Sequence, residues 1–292
     1  MCSSPSEKPE FIMKCPVCGY QEPVKVGIQF CPQDHSILKN TKIPIVSSDA
    51  VGALPLNQTI RKKILQFLEK QDMPALYKSY AWNNDIFANG FPEIFRLETK
   101  LIQTARQNFV LLEDIVDIAY WGGLVNPSNI SAETERIRVD QYDSQGQLFP
   151  FIYTNPDTPL TQLANQTEGL GPTYLSKVLR FAVPREFGAI DSRLVRVFGR
   201  SRRQEPQHNW LKLTAHTAKR GASIRINKSV WPSEYRKWIF ILRTFVNQLN
   251  FGENPIPCPH PKEFKKSKIR TKNHWACADV EMALFAYASK IL

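Results

Sequence analysis

The chain has 292 residues, of which 42% are apolar, enough to bury one large core or two modest ones and to support a globular protein. Lys and Arg outnumber Asp and Glu by 38 to 27, giving a formal charge of +11 and a pI of about 9.4, so polyanions are the expected class of partner. The start of the chain is polar and no apolar run approaches the ~20 residues that cross a bilayer. Neither a secretory signal nor a membrane span is therefore expected, and a cytoplasmic location is. Six cysteines are too few to staple a chain of this size with disulfides.

Three of those cysteines have a metal-type spacing. Cys15-Pro16-Val17-Cys18-Gly19 puts two thiols on one tight turn, and after twelve intervening residues comes Cys31-Pro32-Gln33-Asp34-His35. Two such knuckles close a tetrahedral site suited to zinc, with Cys15, Cys18 and Cys31 as ligands and His35 as the fourth, Asp34 being the fallback. Between them Val24–Phe30 alternates like a strand. So small a module lacks a core of its own, so the metal would supply its folding free energy. The expected organisation is a zinc-ribbon-like module over 1–40, a linker over 41–57 and a helical domain over 58–292. A short zinc ribbon is a generic binder of DNA, RNA or protein and names no function.

From Gln58 onward the periodicity is helical. Ile60, Ile64, Leu65 and Leu68 share one face, with Asn57 or Thr59 as cap, and Ile94, Leu97, Leu101 and Ile102 share another. Phe109–Ala119 reads as a helix buried over much of its surface. Helical patterns recur around Leu175–Ala182, Leu194–Phe198, Glu234–Leu249 and Ala278–Ile291. The fold class expected is all-α.

The most informative segment is Glu168-Gly169-Leu170-Gly171-Pro172-Thr173, which leads into the apolar spacing Leu175, Val178, Leu179 and Ala182. Glycines at 169 and 171 permit positive φ and leave room for an approaching group. Pro172 suits the first helical position, and the free N–H groups there, with the helix dipole behind them, make an anion site. Asp191 follows 22 positions after Gly169, before Ser192-Arg193-Leu194. Taken singly, the turn is an ordinary helix connector and Asp191 a helix N-cap.

Together, at that spacing, they resemble the helix-hairpin-helix DNA glycosylases, the superfamily of endonuclease III and the mismatch-adenine and alkyladenine enzymes. The resemblance covers about residues 108–200. It implies a two-lobed helical domain, a hairpin (Gly169, Leu170, Gly171, Thr173) that grips a DNA phosphate, and a catalytic role for Asp191. Lys177 and Arg193 would add contacts to the double-stranded DNA. An extruded base needs aromatic walls, and Tyr120-Trp121-Gly122-Gly123 is the candidate pocket; packing in the core is the alternative for both rings. Bifunctional members carry a lysine four residues after the first hairpin glycine. Thr173 stands there and cannot form an imine, which implies a monofunctional enzyme leaving an abasic site; a monomer is expected. The four-cysteine iron–sulfur pattern of endonuclease III is absent; only Cys258, His260, His274 and Cys277 lie near that place.

Ten Lys/Arg against Glu205 between Ser192 and Ser233, and six against Glu263 from Lys262 to Lys272, suit a phosphate-facing surface as well as they suit a merely solvated one. The alternatives are a zinc-dependent DNA- or RNA-binding protein without catalysis, and an adaptor whose zinc module recruits a partner. The base removed, whether damaged, mismatched or a hypermodified viral one, is not legible.

Overall fold

The computed structural model describes residues 12–14, 21–23, 39–40, 56–143, 146–149, 151–200, 208–218, 221–224 and 230–292. The chain divides into two compact units, Met1–Leu54 and Pro55–Leu292, with the division inside the stretch 41–57. In the first unit Ile12–Lys14 runs antiparallel to both Gln21–Pro23 and Lys39–Asn40, with Met13 opposite Glu22 and Asn40. Cys15, Cys18, Cys31 and His35 lie outside the described residues, as does the strand expected at 24–30.

The second unit is largely helical. Its described helices are α1 (Gln58–Lys70), α2 (Met73–Lys78), α3 (Pro92–Ala105), α4 (Leu112–Trp121), α5 (Phe151–Thr154), α6 (Thr158–Gln166), α7 (Pro172–Ala182), α8 (Ser192–Phe198), α9 (Trp231–Phe251), α10 (Lys262–Lys266) and α11 (Cys277–Ile291). Several begin where a side chain or a proline answers the unpaired N–H groups of a first turn. Asn57 caps α1 through Ile60 N at 2.9 Å, Asp72 caps α2 through Ala75 N, and prolines open α3, α6, α7 and α9. No described helix is long and apolar enough to cross a membrane.

One expected helix starts late. Phe109–Leu111 is a strand antiparallel to Arg136–Arg138, and α4 begins only at Leu112, where Glu113 and Asp114 suit a first turn. The other described strands are two-stranded ribbons, among them Ala81–Trp82 with Asp85–Ile86 and Ser131–Ala132 with Thr167–Glu168. These are short local pairings and add no layer.

Helix α11 is the centre of the domain. It packs against α2, α8, α9 and α7, and from Cys277 to Ala286 every residue is buried. A helix apolar on all sides has nowhere else to go. The charges within this core are paired. Arg180 of α7 meets Glu98 of α3 at 2.8 Å, and Arg270 meets both Glu98 (2.6 Å) and Asp279 (3.0 Å). Arg270, one of the six cations in the run 262–272, is thus internal and is not part of a basic surface.

Candidate active site

The turn before α7 is set by backbone. Gly169 has φ +76°, and a Cβ on it would stand 2.2 Å from the Asn129 carbonyl oxygen. Its lack of a side chain therefore serves close packing of the hairpin against the chain's own backbone. Leu170, Gly171 and Thr173 are half-buried. Gly171 is the N-cap of α7 with φ −84° and ψ 165°, and no side chain caps that helix. An eleven-residue helix opening without a side-chain cap offers N–H groups and a dipole to an anion.

Behind the turn, α7 carries Lys177 inward. It is only 7% exposed. Its Nζ lies 3.3 Å from the Gly122 carbonyl oxygen and 5.4–5.5 Å from the ring centres of Trp82, Trp121 and Tyr174. A Cβ on Gly122 would stand 2.9 Å from that Nζ, so the glycine makes room for the ammonium. Burial lowers the Lys177 pKa; the charges of Asp191 and Glu281 oppose the shift.

The rings are fixed from outside the cage. Trp121 donates Nε1–H to Asp85 Oδ2 at 2.7 Å, and Trp82 donates Nε1–H to the Trp121 carbonyl at 2.8 Å. Asp85 is itself held by the first turn of α3, accepting from Glu93 N and Ile94 N. Phe181 packs edge-on to Trp121 with ring centres 4.9 Å apart. The indoles can then turn only if these bonds break.

Asp191 caps α8 by accepting from Leu194 N at 2.9 Å through Oδ1. It also lines a cavity with Tyr80, Trp82, Trp121, Lys177, Arg180, Ala189, Glu281 and Phe285. The interior of that cavity is about 20 Å³, the room of a single water. Burial pushes the Glu281 carboxyl up to about 7, with Arg180 opposing and Asp191 adding. At the rim the Arg193 guanidinium stacks 4.7 Å above Phe285 and 5.8 Å from Trp82, and it donates to Ser289 Oγ.

The geometry brings together Asp191, Lys177 and Trp121 and places the glycine turn at the head of the same helix. Tyr120 does not join them. It is 73% exposed, because one residue along a helix turns the side chain by ~100°, so Trp121 faces inward and Tyr120 outward. Sequence reasoning missed Trp82, Tyr80, Phe285 and Glu281. Trp82 sits on a two-residue strand too short to carry a period. Glu281 did leave a signal, an acid inside the apolar run Val280–Ala286.

Among the described residues, Cys258, His260 and Asp279 form a buried group of metal-type ligand atoms within 4.8 Å of one another. His260 Nε2 faces the His274 carbonyl at 2.7 Å and its Nδ1 faces Cys258 Sγ at 3.5 Å. Asp279 already serves Arg270 and the Ala276 N–H, which makes the group part of the ion-pair core. Cys277 is buried apart from it, its N–H donating to Arg185 O. The spacing of Cys258, His260, His274 and Cys277 therefore does not close on one point.

No protein-family model matches this chain, and no curated protein or solved structure matches it either.

Proposed function

We propose that the chain is a DNA glycosylase of the helix-hairpin-helix type, acting on double-stranded DNA with a damaged or modified base and leaving an abasic site. The observation that carries the reading is Asp191. It lines a cavity walled by Trp82, Trp121, Tyr80 and Phe285, one helix away from an uncapped helix start behind a glycine turn. Cleavage of a glycosidic bond builds positive charge on the sugar, and a carboxylate held in an apolar site stabilises it. The turn grips a phosphate, the rings receive the base, and Asp191 faces the sugar and orients water. The zinc module over 1–40 adds a second grip on DNA, with Cys15, Cys18, Cys31 and His35 holding one structural zinc.

The test presents the purified protein with duplex oligonucleotides carrying a panel of bases, and hot alkali then reveals abasic sites. Asp191→Asn keeps the cap and removes the charge, so it should lose at least ~100-fold in base release while the protein stays folded. Full activity in that variant would make Asp191 a cap and the protein a binder. Elemental analysis should find one zinc per chain, and less than half an equivalent with the cysteines reduced refutes the metal.

One observation favours a second reading, in which the same site also opens the DNA backbone. The Lys177 amine lines the cavity beside Asp191, and burial increases its neutral fraction. Thr173 makes the hydrolytic route the leading one. Borohydride trapping of a covalent complex on the true substrate decides for Lys177; its absence leaves water as nucleophile.

A further inference from the structure

Glu281 is an acid that the surrounding packing of α11 does not require. Val280 and Met282–Ala286 around it are buried apolar residues, and Glu281 itself is 6% exposed. Gly188 lets this turn of α11 pack closely, since a Cβ there would stand 2.4 Å from Leu242 Cδ1 and 3.0 Å from Glu281 Cβ. The nearest cation, Arg180, has its Nε 3.5 Å from Glu281 Oε2 while its Nη1 is 2.8 Å from Glu98. The guanidinium is thus shared, closer to Glu98 and more loosely to Glu281, whose carboxyl lines the same cavity as Asp191.

We infer that Glu281 is the proton donor of this site, passing its proton to the departing base. The inference rests on the glycosylase reading. The carbon–nitrogen bond between sugar and base breaks, and its electron pair goes to the base, which takes the proton from Glu281. Water adds to the sugar cation that Asp191 stabilises, and the proton it releases returns to the Glu281 carboxylate. The sum is base plus hydroxylated sugar, with the enzyme unchanged.

Two carboxyl groups in one pocket with different charges is the arrangement such chemistry requires. The groups facing Glu281 are Lys177 and Arg180 from α7, Asp191 from the start of α8, Tyr80 after α2 and Tyr235 from α9. Burial is the largest influence on it and raises its carboxyl to about 7; Asp191 works the same way, and Arg180 and Lys177 oppose. Glu281 therefore keeps a proton near neutrality and gives it up as the pH rises.

The experiment measures single-turnover base release against pH on whichever base the oligonucleotide panel identifies. Three proteins are compared: wild type, Glu281→Gln and Asp191→Asn. The wild-type rate should fall as pH rises through about 7. Glu281→Gln should lose about 100-fold or more in rate and should lose that descending limb. If the base identified is cationic, as N7-methylguanine is, it leaves without a donor, and the same comparison on a neutral base such as hypoxanthine or 8-oxoguanine shows the larger loss.

Wild-type activity with a dead Asp191→Asn and an unchanged Glu281→Gln overturns the role of Glu281 alone. A wild type inactive on every base overturns the glycosylase reading and this one with it. Should Glu281→Gln fail to fold, the wild-type profile carries the test, and a flat rate between about pH 5 and 9 overturns the donor.

Discussion

Single residues in this site do two jobs at once, and the pairing decides how a substitution behaves. Gly169 combines a positive φ with contact against the Asn129 backbone. A β-branched side chain there meets a left-handed backbone and a carbonyl oxygen together, so the hairpin must move. Gly169→Val should lose about tenfold or more in DNA affinity and at least ~1 kcal/mol in unfolding free energy, read by fluorescence anisotropy and urea titration. Unchanged affinity with lowered stability would make the turn a packing device only. Gly169 and Asp191 were legible because a left-handed backbone and a helix cap each call for a particular residue type, whereas Gly171, expected to allow positive φ, has an extended φ of −84° open to any residue. The walls were not legible, since Trp82 and Phe285 are 203 residues apart in sequence. A local pattern says nothing of such a meeting.

Whole elements were easier to read than the contacts between them. The apolar spacing of Ile60 and Ile64, and of Ile94, Leu97 and Leu101, marks α1 and α3 because those faces are buried, but on α1 the buried face continues through Phe67, while Leu65, expected on it, is exposed. Phe109–Leu111 misled for a physical reason. Three apolar residues suit a strand as well as a helix, and pairing with Arg136–Arg138 settles it. The same holds for Arg270, which looks in sequence like one cation of a surface run. It joins the loop after α10 to α3 and to the first turn of α11 through Glu98 and Asp279. Arg270→Met strands two buried carboxylates and should cost about 3–5 kcal/mol in unfolding free energy by chemical denaturation. Adding Asp279→Asn should recover part of that loss. A cost under ~1 kcal/mol would mean that Arg180 alone holds Glu98.

At the scale of the molecule, the excess of cations bears on the proposed partner, DNA. Arg193, Arg196 and Arg200 follow the cavity in sequence, and the start of α7 adds a dipole. If DNA is the partner, counterion release should make its affinity fall steeply with salt. A plot of log affinity against log salt should have a slope of about −3 or steeper, which corresponds to three or more phosphates neutralised. A slope near zero would place the cations on a solvated face. Reversing the charge of Arg196 and Arg200 should weaken binding to all sequences alike, since phosphates carry no base identity.

The cavity beside Asp191 has room for one water, and the protein's own ammonium occupies the space between its rings. On the glycosylase reading, an arriving base would have to compete with Lys177 for the same aromatic faces. Only molecules whose indoles had swung aside would then be ready to accept it, and the apparent affinity would be reduced by that fraction. Discrimination would thus begin before any atom of the base is read, as a contest between an internal guest and an external one.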